Sequence, residues 1–196
     1  KTQVEITKIK NTEEDCGALC LEMLLQTDYQ LSSDLKLLRQ VVGKEKKEGT
    51  MPGNLCKALK ESNYKVDYYT AIDWEKCSER PESEEKIARF PQEIIKNVNN
   101  PNGLLDYNKL KSSAKWLADN PEIIKSQTLS AENIAELLSQ GKRVIALFGA
   151  THYVVITGID ENNIYFNNPA LEPKQESLSH GDFFRRWREI FDSTEA

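Results

Sequence analysis

The chain has 196 residues, of which 29% are charged and 39% hydrophobic, and its formal net charge is -5. This length suits one domain, or one domain with an insertion, around a substantial core. The acidic balance argues against a general nucleic-acid binder, because phosphate contacts need clustered lysine and arginine. No apolar run approaches the roughly twenty residues that a membrane helix requires.

The N-terminal part of the sequence predicts a short strand followed by two helices. Residues 4–9 alternate apolar and polar side chains as a strand does, and residues 16–27 follow as a helix. A second helix is capped by residues 32–34 (SSD) and closed by Gly43. Its buried side is expected to hold five apolar residues, namely Leu35, Leu37, Leu38, Val41 and Val42.

A third helix, a strand and a helical insertion are predicted next. The third helix opens at 51–54, where a proline suits the first helical turn, and runs to about residue 62. Residues 64–70 predict a strand. We expect residues 73–127 to form a helical insertion within a single domain of residues 1–196. The insertion is predicted to contain helices at 87–97, 105–119 and 122–126, whose apolar spacing favours packing on the core over substrate contact.

The C-terminal part predicts one helix and an antiparallel meander. Ser130 caps a helix that ends at Ser139. Three strands follow, with a turn of polar residues between the second and the third. Their predicted bounds are 143–148, 152–160 and 163–166.

The chain has four cysteines, Cys16, Cys20, Cys56 and Cys77. Their spacing lacks the two close pairs of a structural zinc site. The chain is also larger and poorer in cysteine than the small secreted proteins that disulfides hold together. We therefore expect no metal site and no cofactor, and we expect Cys20 and Cys56 to be buried thiols.

Cys16 differs from the other cysteines because it lies on the first turn of a predicted helix, directly after acidic residues that can cap it. A helix N-terminus and a neighbouring imidazolium both favour the thiolate, which is the nucleophilic form of cysteine. His152 begins a predicted strand, and Asn168 follows the next strand. An amide at that position can orient the imidazole, so the three residues predict a nucleophilic site in which Cys16 attacks, His152 transfers the proton and Asn168 orients His152.

Three segments of the chain also carry a family resemblance: residues 15–25 (DCGALCLEMLL), residues 152–160 (HYVVITGID) and residues 165–170 (YFNNPA). They resemble the bacteriocin-leader (double-glycine) peptidase family and its broader relatives, which are papain-like cysteine peptidases. The resemblance covers roughly residues 4–64 and 128–192. It implies a papain-like α+β fold, with an N-terminal helical part packed on an antiparallel sheet, and a peptide or protein substrate.

The sequence departs from that family at two positions of the expected site. The family usually has a glutamine before the cysteine, which completes the oxyanion hole, whereas this chain has Lys10 and Asn11 in that neighbourhood. Either side chain can donate a hydrogen bond, so both are candidates for this role. Asn168 occupies a position where the family usually has aspartate, and papain-type sites function with asparagine there.

The resemblance is compatible with several functions that use the same thiol chemistry. A deamidase, an amidase or an acyltransferase would also pass through a thioester, and a secreted bacterial effector is one such protein. A peptide-binding relative that has lost catalysis is the other alternative. The first residue is Lys1 rather than methionine, so both a cytoplasmic and a secreted location stay open.

Overall fold

The computed structural model describes residues 2–7, 16–43, 50–70, 107–148, 152–169 and 175–188. The helices are α1 (Cys16–Tyr29), α2 (Leu35–Val41), α3 (Pro52–Glu61), α4 (Tyr107–Ala118), α5 (Ala131–Ser139) and α6 (His180–Arg188). The strands are β1 (Thr2–Gln3), β2 (Tyr68–Tyr69), β3 (Ile124–Lys125), β4 (Val144–Phe148), β5 (His152–Ile159), β6 (Asn163–Asn167) and β7 (Gln175–Ser179). Lys10, Asn11, Cys77 and the helix predicted at 87–97 lie outside the described residues.

The main sheet is antiparallel and is built around β5. It has five strands, in which β5 pairs with β1, β4 and β6, and β6 pairs with β7. The register sets Phe148 opposite His152 at one end of the sheet. Together with the helices, this sheet confirms the predicted α+β class and the antiparallel meander.

Alternate residues of β5 face two different core clusters, as the two-residue period of a strand requires. Tyr153 and Val155 pack in a cluster with side chains of α1, α2 and α3. Val154 and Ile156 pack in a second cluster with side chains of α5 and α6. The sheet is therefore covered by helices on both faces, which explains why seven consecutive residues of β5 are buried.

The end of the predicted insertion packs on α3 rather than standing apart from the core. Leu110 and Leu117 of α4 are buried in a third cluster with Met51 and Cys56. The backbone N–H of Gly53 donates to the Ser113 hydroxyl at 2.8 Å, which fixes α4 against the start of α3. The helical spacing of its apolar residues predicted that α4 packs on the core, and the structure confirms this packing.

Three predicted segments differ from the structure. The observed N-terminal strand is Thr2–Gln3, and of the predicted strand 4–9 the described residues 4–7 are not in a strand, although the N–H of Val4 donates to the carbonyl of Thr157 at 2.8 Å. Within 64–70 only Tyr68–Tyr69 is a strand, paired in parallel with Ile124–Lys125. The helix predicted at 122–126 is wrong, because these residues form the end of a short 3-10 turn and then β3. In each case local sequence could not reveal which backbone groups another segment would pair.

The predicted buried side of α2 is wrong in part. Leu38 and Val42 are buried, with 2% and 0% of their surface exposed, whereas Leu37 and Val41 retain 53% and 38%. At seven residues the helix covers little of the core. Within the predicted capping segment 32–34, Asp34 is the N-cap, since its carboxylate accepts from the N–H of Lys36 at 3.0 Å.

Gly17 has no room for a side chain, which leads to a prediction about stability. A Cβ on Gly17 would lie 2.5 Å from Cβ of Thr50, and that atom is fixed to the backbone and cannot rotate away. We expect Gly17→Ala to lower the free energy of unfolding by about 2 kcal/mol, a typical cost of overpacking, measured by urea denaturation.

Gly181 supplies the matched control, because it also lies in a helix but nothing stands within 4 Å of the position that a Cβ would occupy there. Gly181→Ala should leave stability unchanged or raise it by up to about 1 kcal/mol. Equal effects of the two substitutions would contradict the proposed clash with Thr50.

None of the helices in the described part of the chain has both the length and the apolar character needed to cross a membrane.

Candidate active site

The first residues of α1 and β5 lie at the same end of the molecule. Cys16 shares a core cluster with Tyr153, the residue after His152, and α1 packs against β5. At the other end of α1, the guanidinium of Arg143 donates to Asp28 through Nε at 3.0 Å and through a second nitrogen. Arg143 precedes Val144, which pairs with Ile156 near the far end of β5. The two elements therefore run in the same direction, with Cys16 and His152 each at the start.

The ion pair between Asp28 and Arg143 holds this arrangement. Both side chains are about four-fifths buried, and two nitrogens of one guanidinium contact one carboxylate, which is the geometry that makes such a pair specific. Tyr64 also donates to Asp28, at 3.0 Å. Burial and the Asp28 charge raise the pKa of Tyr64, so its hydroxyl stays protonated as a donor. The C-terminal end of α1 is thus fixed to the sheet edge, and its N-terminal end is fixed with it.

His152 and Asn168 are in direct contact. Nε2 of His152 lies 2.7 Å from Oδ1 of Asn168, across sixteen residues of sequence. A carbonyl oxygen only accepts, so Nε2 is the donor in this contact, and in the neutral form of such a ring the lone pair is on Nδ1. Such a ring is suited to taking a proton through Nδ1 while Asn168 fixes its direction.

Glu176 lies behind Asn168, and the sequence interpretation did not include it. Both carboxylate oxygens of Glu176 lie 3.5 Å from Nδ2 of Asn168. Glu176 is on β7, opposite Phe166 of β6. No strand was predicted there, because Gln175–Ser179 has a single apolar residue and lacks clear alternation. Pairing of this polar segment with β6 places Glu176 at the site.

The other described cysteines are buried thiols, as predicted. Cys20, one helical turn after Cys16, is fully buried, and its burial, followed by the neighbouring Cys16 charge, raises its pKa. Burial raises the pKa of Cys56 to about 12. Both thiols stay protonated near neutral pH, so they are unsuited to nucleophilic attack.

A cavity of about 500 Å³ lies against the C-terminal half of α1, where Leu24, Asp28 and Tyr29 line it. Most of its lining is apolar, from α3, β4 and the segment around β2. Thr50 and Tyr153 also line it, and their buried hydroxyl groups have no hydrogen-bond partner within the described residues. Cys16, His152 and Asn168 are not among its described lining residues. The cavity adjoins the helix that carries Cys16, and its lining suits apolar groups.

The structure places three of the five predicted site residues. His152 and Asn168 are in contact, and Cys16 is at the matching end of the adjacent helix. Lys10 and Asn11, the oxyanion candidates, lie outside the described residues. Among the residues described, no group of three His, Cys, Asp or Glu side chains is arranged to hold a metal ion.

Comparison with known proteins gives one match. Residues 6–84 match the family model described as Peptidase C39 family. No curated protein and no solved structure matches the chain. The matched segment contains Cys16 but neither His152 nor Asn168. Residues 6–84 are thus similar to the C39 peptidases, and the helices and antiparallel sheet of the structure are consistent with a papain-like fold.

Proposed function

Starting from this relationship to the Peptidase C39 family, we propose that the protein is a cysteine peptidase with Cys16 as its nucleophile. The observation that carries the proposal is the contact between His152 and Asn168. His152 begins β5, at the same end of the molecule as Cys16, which begins α1. This contact leaves Nδ1 of the imidazole as the proton acceptor, which is the form that a thiol nucleophile requires.

In the proposed reaction, Nδ1 of His152 takes the proton of the Cys16 thiol, and Sγ attacks the carbonyl carbon of a peptide bond. The tetrahedral intermediate carries its negative charge on oxygen, where the backbone N–H of Cys16 is a suitable donor, with Lys10 or Asn11 as the second. The imidazolium of His152 then gives its proton to the leaving amine. The products of this half are a free amine and a thioester on Cys16.

Water completes the cycle. His152 removes a proton from water, the resulting hydroxide attacks the thioester, and the Cys16 thiolate leaves and regains a proton. Asn168 keeps the ring in one orientation through both halves, since Nε2 donates to its oxygen in the neutral ring and in the imidazolium.

The cavity along α1 supports a substrate with apolar side chains. Its volume of about 500 Å³ lies in the usual range for a ligand pocket, and its described lining is mainly apolar.

The test is incubation of the protein with a library of peptides, followed by mass spectrometry. We expect cleavage, with large apolar residues enriched near the cleaved bond. The same spectra distinguish the related chemistries, because a deamidase would raise the mass of a side chain without cutting the chain, and an acyltransferase would join two peptides. A folded protein that changes no peptide, and forms no thioester on Cys16, would overturn the proposal and leave a binding role.

A further inference from the structure

The carboxylate of Glu176 lies where it can control the orientation of the Asn168 amide. An asparagine side chain presents an oxygen on one side and an NH₂ group on the other, and the two ends have nearly the same shape. The orientation is therefore decided by the hydrogen-bonding partners. In this structure the oxygen faces His152 at 2.7 Å, and Nδ2 faces both oxygens of Glu176 at 3.5 Å.

An ionised carboxylate accepts hydrogen bonds and donates none. Nδ2 of Asn168 is attracted to the Glu176 carboxylate because it can donate a hydrogen bond to it. Oδ1 in the same place would be repelled by the negative charge. The oxygen of the amide is then left for His152. Nε2 of the ring must donate to it, and the lone pair of the neutral ring falls on Nδ1.

We propose that Glu176 is a positioning residue that fixes the tautomer of His152 through Asn168. This inference rests on the proposed function, since it concerns the same imidazole. Without the carboxylate, the amide can turn and present Nδ2 to the ring. Nε2 would then have to accept, and the ring proton would move to Nδ1, where it prevents His152 from taking the proton of Cys16.

Among the described residues of the strands next to the site, Glu176 is the charged group in contact with Asn168. Strands β4, β5 and β6 contain no aspartate, glutamate, lysine or arginine within their bounds, and Glu176 is the charged residue of β7. The neighbouring Gln175 uses its amide differently, since Nε2 donates to the Thr157 hydroxyl at 2.7 Å.

The test reads the tautomer directly, by ¹⁵N NMR of the histidine rings at a pH at which they are neutral. Spectra are recorded in a Cys16→Ala background, so that a thiolate does not hold the ring protonated. The chain has two histidines, and Nε2 of the other, His180, faces the carbonyl oxygen of Asp160 at 2.9 Å. His180 therefore serves as an internal reference that keeps its proton on Nε2.

Glu176→Ala and Glu176→Gln are compared with Gln175→Ala, which removes a neighbouring side chain of the same strand. We expect His152 to carry its proton on Nε2 in the parent and in Gln175→Ala, and to gain a substantial Nδ1–H population in Glu176→Ala. Glu176→Gln should fall between them, because an amide can face Asn168 with either end. With Cys16 present, kcat/KM should fall about tenfold in Glu176→Ala, at the low end of the loss seen when a residue that orients a metal-binding histidine is removed.

Circular dichroism identifies the variants that remain folded, and those variants decide the outcome. A shift of the His152 tautomer in any folded Glu176 variant supports the inference. Parental tautomer populations in all folded Glu176 variants overturn it. The NMR readout needs no turnover, so a chain with a Glu176-dependent tautomer and no peptidase activity would contradict the proposed function alone.

Discussion

Cys16→Ala is expected to lower kcat/KM by about ten thousand-fold or more, because loss of a covalent nucleophile removes the thioester route. The substitution deletes a single sulfur at a residue that is 8% exposed, so stability should change by no more than about 1 kcal/mol. The measurement is the rate of peptide cleavage, with thermal unfolding recorded in parallel.

Cys20→Ala is the matched control for this experiment. It removes the same atom one helical turn away, from a residue that is fully buried and whose pKa is raised by that burial. We expect this variant to lose stability, by about 1 kcal/mol or more, and to keep its kcat. Should Cys16→Ala retain the parental rate, the nucleophile would have to be another residue.

His152→Ala is expected to lower turnover by about a thousand-fold, in the range usual for loss of a general acid and base. The same variant should change how Cys16 reacts with iodoacetamide across a range from about pH 5 to about pH 9. In the parent, a thiolate stabilised by the helix N-terminus and the imidazolium persists below the ordinary thiol pKa of about 8.5, and alkylation is lost only as the pH falls through the lower value. In His152→Ala the midpoint should rise towards about 8.5.

The chain supplies the controls for the alkylation profile. Burial raises the pKa of Cys56 to about 12 and also raises that of Cys20, so peptides that contain them should stay unmodified. His180→Ala removes the other histidine, which lies at the start of α6 and contacts Asp160. A Cys16 profile that is slow and centred near about 8.5 in both the parent and His152→Ala would argue against a Cys–His pair.

Elements with strong local signals were predicted with nearly the observed bounds. The helix expected at 16–27 is Cys16–Tyr29, and Ser130 forms the predicted N-cap, with a capping box to Asn133. The strands that begin with Val144, His152 and Asn163 are also close to their predictions. In each of these the apolar period or the cap lies within the segment itself, so the sequence contains the information.

Elements whose pairing comes from elsewhere in the chain were missed or misplaced. β7 was not predicted, because Gln175–Ser179 lacks a strand pattern and exists as a strand through its pairing with β6. The parallel pair of Tyr68–Tyr69 with Ile124–Lys125 joins segments more than fifty residues apart. Strand propensity is weak compared with the backbone hydrogen bonds and packing that a partner provides, so a partner can impose a strand.

By itself the sequence predicted a thiol-based chemistry and determined the α+β class. It places a cysteine at a helix N-terminus, a histidine at the start of a strand and an amide after the next strand, and these signals are local. The tertiary structure decided the direction of α1 along β5, the hydrogen bond that leaves Nδ1 of His152 available, and the position of Glu176 behind Asn168. These depend on the ion pair of Asp28 with Arg143 and on strand register, which join residues distant in the chain and have no local pattern to reveal them.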